Sequence, residues 1–204
     1  MTILLVDDHA LVRAGLKRLL ASVWSGGIIE AANGREALAL VRDQRPELVI
    51  LDLNLPGLGG LELLRRMIQA GAGPILVLSM HAEPLYARRA LEAGAAGYVT
   101  KNASPDELLA AVRRVTAGGR YVEAELAQAL AVQGPAAAQE FASLTARELE
   151  IMRLLAKGSS LAEIAEAVGV GYKTVANSCS QIKSKLGVSR TADLVRLAIE
   201  TGVM

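Results

Sequence analysis

Leu48-Val49-Ile50-Leu51 is a run of four apolar residues that ends abruptly in Asp52, with Pro56-Gly57 close behind. With no polar residue to mark a wet face, such a run suits a strand buried on both sides, as in a parallel sheet. That strand needs parallel neighbours and helices to cover each face. The flanking sequence supplies both. Strand-like segments near residues 3–6, 28–31, 48–51, 75–79 and 97–99 alternate with helix-like ones near 10–21, 35–43, 59–70, 85–93 and 105–117. Gly26-Gly27, Gly71 to Pro74, Gly94 and Gly118-Gly119 fall just behind helix patterns, where helices stop. Ser104-Pro105-Asp106-Glu107 reads as a helix start, with proline in the first turn and acids near the positive end of the dipole. Residues 1–118 are therefore expected to form an α/β domain with a doubly wound, five-stranded parallel sheet.

The pattern changes past Gly119. Residues 121–132 look helical, and Gln133-Gly134-Pro135-Ala136-Ala137-Ala138-Gln139 has the composition of a linker, although an alanine-rich stretch can also stay helical. Residues 119–142 are read as a partly helical linker. From Ser143 to Met204 only short helices are predicted, broken at Gly158, Gly169-Val170-Gly171 and Gly187: a second, smaller all-α domain. The chain of 204 residues is comfortable for two domains, and its net charge of +1 supports no claim from overall charge. One cysteine, Cys179, permits no intramolecular disulfide. No run approaches the ~18 apolar residues of a membrane span, and a cytoplasmic location with no membrane partner is expected.

In a parallel sheet the carboxyl ends of the strands share one edge, the usual place for ligands. Strand one ends in Asp7-Asp8, strand three in Asp52, strand four in Ser79, and Lys101 follows strand five. An acid at a strand end is more often a turn-former or a cap, so Asp52 alone carries little. Three converging carboxylates raise one another's pKa unless a cation intervenes, and oxygen ligands of this kind suit Mg²⁺. A carboxylate can act as a nucleophile toward phosphorus, with the metal and Lys101 offsetting charge and Ser79 donating a hydrogen bond. On Asp7-Asp8, Asp52, Ser79 and Lys101, the last following Ser79 at the customary interval, the first ~118 residues resemble the flavodoxin-like receiver domain of two-component response regulators. The resemblance implies that Asp52 is the phosphoacceptor, and that Mg²⁺ is held by Asp8, Asp52 and the Asn54 backbone carbonyl, with Asp7 acting mostly through a bound water. It also implies that Tyr98 is an aromatic switch that changes rotamer when Ser79 is drawn to the phosphoryl group, and that a sensor histidine kinase is the partner.

In the second domain Thr145-Ala146-Arg147-Glu148 is a capping-box pattern, Ser160 can cap a second helix, and a third runs from about Gly171 to Leu186. Helix, short glycine turn, helix is the helix-turn-helix plan. Val175, Cys179, Ile182 and Leu186 form one apolar stripe of the third helix, opposite Lys173, Ala176, Asn177, Ser180 and Ser184. Residues 172–190 hold Lys173, Lys183, Lys185 and Arg190 with no acid, a local +4. Expected contacts with double-stranded DNA are Lys173, Thr174, Ala176, Asn177, Ser180, Lys183 and Lys185, with Asn177 reading a base and Lys185 meeting a phosphate. On Leu144-Thr145-Ala146-Arg147-Glu148, Ile164-Ala165, Lys173-Thr174-Val175 and Lys185-Leu186-Gly187-Val188 the segment resembles the LuxR-type helix-turn-helix of NarL/FixJ-family regulators. Ser178 stands where many members have histidine, and Ala176 and Ser180 replace longer or charged side chains. Cys179, inside the apolar stripe, reads as a small buried hydrophobe rather than a redox sensor.

The combined reading is a phosphorylation-controlled transcription factor, catalytic only upon itself, that forms a homodimer when phosphorylated. The last helix, with Leu194, Leu197 and Ala198, is its expected self-association surface. Two alternatives stand beside it. A phosphatase of haloacid-dehalogenase type needs an Asp-x-Asp motif after strand one, where this chain has Asp7-Asp8-His9. A phosphorelay or protein-interaction module with a weakened DNA-binding domain is suggested by Ser178.

Overall fold

The structure is a computed structural model describing residues 2–55, 59–132, 141 and 143–200. The Pro56-Gly57 turn and the Gln133 to Gln139 stretch lie outside the described residues. The first compact unit alternates strand and helix: β1 (Thr2–Val6), α1 (Ala10–Leu20), β2 (Gly27–Ala31), α2 (Gly34–Gln44), β3 (Leu48–Leu51) and α3 (Gly60–Gln69). It continues with β4 (Ile75–Ser79), α4 (Pro84–Glu92), β5 (Gly97–Thr100), α5 (Pro105–Thr116), β6 (Tyr121–Val122) and α6 (Ala124–Val132). All strands are parallel, in the order β2-β1-β3-β4-β5-β6.

Strands β3, β4 and β5 are buried at every residue, as the all-apolar run of β3 requires of a central strand. On one face Ile3, Leu5, Leu48, Ile50, Leu76, Leu78 and Val99 pack with Leu20 of α1 and Leu108, Leu109, Val112 and Val115 of α5. Helix α2 lies against β1, β2 and α3. Burying each such aliphatic side chain is worth about 1.5–3 kcal/mol before entropy is charged. The predicted start of α5 is present, with Ser104 Oγ accepting the Glu107 N–H at 3.2 Å.

Among the described residues the sheet has six strands, not five. Tyr121 and Val122, expected in a helix, pair with Gly97 and Tyr98 of β5, and the helix begins only at Ala124. Two residues are too few to display a period of two, so the apolar spacing of Val122, Leu126 and Leu130 was absorbed into a helical pattern.

The second unit carries α7 (Ala146–Ala156), α8 (Leu161–Ala167), α9 (Tyr172–Leu186) and α10 (Thr191–Glu200). The chain leaves the first compact unit for the last time between Gln128 and Ala129, within α6. Capping boxes open α7 at Thr145/Glu148 and α8 at Ser160/Glu163. Leu149, Met152, Ile164, Val175, Cys179, Ile182, Leu194 and Ala198 are buried. Helix α9 ends at Gly187, whose φ of +67° few side chains accept. Arg147 donates to the Val168 carbonyl at 2.8 Å, tying α7 to the end of α8.

Candidate phosphoacceptor pocket and nucleic-acid interface

Each acid of the first unit is delivered by a strand end. Asp7 and Asp8 follow β1, and Asp52 follows β3, whose partner β1 holds it through an Asp52 N–H to Val6 carbonyl bond of 2.8 Å. Asp7 and Asp52 are each 2% exposed, whereas Asp8 is exposed. Lys101, just past β5, donates from Nζ to Asp52 Oδ2 at 2.6 Å and to Asp7 Oδ2 at 2.7 Å. Its backbone N–H holds the Ser79 carbonyl at 2.8 Å. The other Asp52 oxygen, Oδ1, accepts the Asn54 N–H at 2.9 Å. Burial pushes the Asp52 carboxyl above its ordinary range, despite the opposing pull of Lys101 and the Asn54 N–H. Burial also works against the Lys101 charge, but the hydrogen bonds to Asp52 and Asp7 win and hold its ammonium above the usual lysine value.

Asp7, Asp8, His9 and Asp52 each offer a ligand atom, all within 4.8 Å of one another. Three carboxylates face one ammonium, so the cluster carries an excess of about two negative charges and fits a divalent cation with oxygen preference. His9, which the sequence reading passed over, donates its N–H to Asp7 Oδ1 at 2.7 Å and sets its ring nitrogen 2.8 Å from Asp8 Oδ1.

Ser79 and Tyr98, both fully buried, meet through a residue that sequence reasoning missed. The His81 N–H donates to Ser79 Oγ at 3.2 Å, and its carbonyl accepts the Tyr98 hydroxyl at 2.7 Å. The His81 ring shares a 2.9 Å hydrogen bond with Asn54 Oδ1 and stacks on Tyr86 at 4.2 Å between ring centres. The one available signal was position: a polar side chain two residues past the end of a strand that bears a site hydroxyl.

In the second unit α9 presents Lys173, Thr174, Asn177 and Ser180 to solvent, with Ala176 and Lys183 partly covered. Ser180 Oγ donates back to the Ala176 carbonyl at 3.2 Å. Val175, Cys179 and Ile182 face inward, and burial raises the Cys179 thiol, as befits a packing residue. Lys185, expected to meet a phosphate, also has a partner inside its own domain. Its ammonium grips both oxygens of Glu148 at 2.7 and 2.8 Å, joining the last turn of α9 to the first turn of α7. Arg190 likewise pairs with Asp193 at 3.2 Å. The local +4 thus reduces to Lys173 and Lys183, which form no ion pair among the described residues. The expected self-association stripe on α10 is also corrected: Leu194 is 1% exposed and Ala198 is 0%, so both belong to the monomer's own core.

Residues 3–113 match the family described as the response regulator receiver domain, and residues 142–198 match the luxR family of bacterial regulatory proteins. The transcriptional activator protein ExaE of Pseudomonas putida is 45% identical over 100% of this chain and 98% of its own. Response regulator UvrY of Escherichia coli (strain K12) is 36% identical over 100% of this chain and 95% of its own. Among solved structures, a LuxR-family two-component response regulator from Aurantimonas sp. SI85-9A1 covers 64% of this chain and 94% of its own, at 44% identity and a TM-score of 0.59. RcsB of Salmonella enterica serovar Typhimurium, bound to promoter rprA, shares the fold at a TM-score of 0.64 and 23% identity, covering 97% of this chain and 98% of its own. These matches span both units, and they favour neither the phosphatase reading nor a decayed DNA-binding domain. The chain belongs to the NarL/FixJ family of two-component response regulators, a receiver domain joined to a LuxR-type DNA-binding domain.

Proposed function

We propose that Asp52 is the phosphoacceptor through which a sensor histidine kinase controls DNA binding by α9. The observation that carries the reading is the division of the Asp52 carboxylate, one oxygen on the Asn54 N–H and the other on the Lys101 ammonium, at the mouth of the parallel sheet. A nucleophile so held is aimed with no further loss of freedom. One Asp52 oxygen attacks the phosphorus of the kinase's phosphohistidine. The P–N bond breaks, its electron pair stays on the imidazole nitrogen, and that nitrogen takes up a proton. Lys101 offsets the charge on the transferred phosphoryl oxygens, and the Ser79 hydroxyl donates to one of them. Asp7, Asp8, Asp52 and the Asn54 backbone carbonyl are the groups that would hold Mg²⁺, which supplies charge neutralisation at the phosphoryl group when bound. Drawing Ser79 Oγ toward phosphorus takes it from the His81 N–H. Because His81 also holds the Tyr98 hydroxyl, Tyr98 is the residue that feels the change.

The remaining parts follow from chemistry at the two units. Phosphorylation favours a homodimer on double-stranded DNA, in the cytoplasm. Its association surface on α10 is the outer side bearing Arg196 and Ile199, the latter 47% exposed. Lys173, Thr174, Ala176, Asn177, Ser180 and Lys183 meet the groove. The receiver also catalyses its own phosphorylation from small donors and the hydrolysis that follows. Incubation with acetyl phosphate and Mg²⁺ should add one base-labile phosphoryl group and raise the sedimentation coefficient. Asp52→Asn should abolish both with the fold intact, and stoichiometric labelling of that variant would sink the assignment.

A further inference from the structure

The β5–β6 ladder ends in an irregular way. Tyr121 donates its N–H to the Ala96 carbonyl at 3.2 Å. Parallel ladders repeat every two residues, so in continued register the Glu123 carbonyl would take the Thr100 N–H. That carbonyl is already occupied: it accepts the Ala127 N–H at 2.8 Å, the bond that begins α6. The Glu123 carboxylate takes the Thr100 N–H in its place, and its second oxygen accepts the Thr100 hydroxyl at 3.3 Å. One residue therefore ends the strand, starts the helix and fastens that helix to the tip of β5. The residue after Thr100, just past β5, is Lys101, whose ammonium spans Asp7 and Asp52.

We infer that Glu123 is the positioning residue that carries the state of Lys101 to the first turn of α6. The inference rests on the reading of Asp52 as the phosphoacceptor. A phosphoryl group on Asp52 brings anionic oxygens into the reach of an ammonium that now divides itself between two carboxylates. Lys101 must redistribute its three N–H groups among more acceptors, and its backbone is continuous with Thr100. A freely ending β6 would absorb such a shift as fraying. A carboxylate holding both Thr100 donors passes it to the peptide that nucleates α6, the helix in which the chain leaves the first unit. Coupling of this kind is reciprocal, so the state of α6 also biases the engagement of Lys101.

Amide hydrogen exchange of Ala124 to Gln128 in the full chain, with and without acetyl phosphate and Mg²⁺, tests this. In the unmodified sequence those amides should change their exchange rate when Asp52 is labelled, and Asp52→Asn should remove the change. Glu123→Ser keeps a good helix cap but is too short to reach Thr100. It should still take one phosphoryl group, with the response of α6 lost. Glu123→Gln retains an oxygen for the Thr100 N–H and should restore the response, which separates coupling from mere loss of a side chain. A labelled Glu123→Ser whose α6 responds as in the unmodified chain overturns the inference, as does a labelled unmodified chain whose α6 is unmoved. An unmodified chain that takes no label instead sinks the phosphoacceptor reading, and the coupling falls with it.

Discussion

At Lys185 two partners compete for one ammonium: a DNA phosphate, and the carboxylate of Glu148, whose side chain is only 7% exposed. The carboxylate is already in place and has lost most of its water, so it holds the stronger claim. Burial alone would raise the Glu148 carboxyl, but hydrogen bonds from Lys185 and Thr145 outweigh it and hold the group below the ordinary range. A lowered acid stabilises the fold in full above the unfolded pKa of about 4.3, and that contribution is lost as the pH falls through the lowered value. Lys185→Ala should cost the helix-turn-helix about 1–2 kcal/mol at neutral pH, a figure reduced because the Lys185 side chain is 35% exposed. Hydrogen exchange across α9 reads that loss, and lowering the pH through the lowered Glu148 value should shrink the gap between the variant and the unmodified chain. In binding titrations over a salt series, Lys185→Ala should leave the slope unchanged, Lys173→Ala should reduce it by about 1 per bound subunit, and Asn177→Ala should flatten preference at one base pair by about 1–3 kcal/mol. A slope lowered by Lys185→Ala would return that residue to the phosphate. The sequence made Lys185 legible as a cation on the right helix. It could not show that its partner is an acid in a different helix, because no local spacing links them. Glu123 and His81 were hidden for the same reason: each acts across a fold that must exist before the contact does.

Elements were legible where their pattern was long. The helix starts at Ser104, Thr145 and Ser160 and the stop at Gly187 came directly from residue chemistry, and all four are present. Close approach between elements was not legible, because it depends on which surfaces meet. Helix α3 begins at Gly60, where an added methyl would drive into the Leu53 backbone carbonyl and Cα. Leu53 lies between Asp52 and Asn54, so the start of α3 buttresses the loop that aims the phosphoacceptor. Gly60→Ala should cost about 1–3 kcal/mol by overpacking and slow phosphorylation from acetyl phosphate. Gly34→Ala is the control: its methyl meets only the Leu63 side chain, at 3.2 Å, which needs to give by only a few tenths of an ångström, whereas Gly60 faces backbone. Thermal unfolding and labelling rates of the two variants decide the matter, and equal effects would reject the buttress.

For the whole molecule, the two-domain plan and the family were readable from motifs at strand ends and helix starts, and the missing piece was the sixth strand. Its consequence concerns how the gene can be cut. Every residue of β5 is buried, and β6 with Glu123 occupies its outer side. A fragment stopped at residue 118, where the repeating pattern of the sequence ends, would present β5 as a bare apolar edge with unclaimed donors and acceptors. Such an edge is a template for adding a strand from another molecule. Fragment 1–118 should therefore self-associate with rising concentration in light scattering, while fragment 1–132 stays monomeric. The two residues of β6 serve less to enlarge the sheet than to stop it from growing.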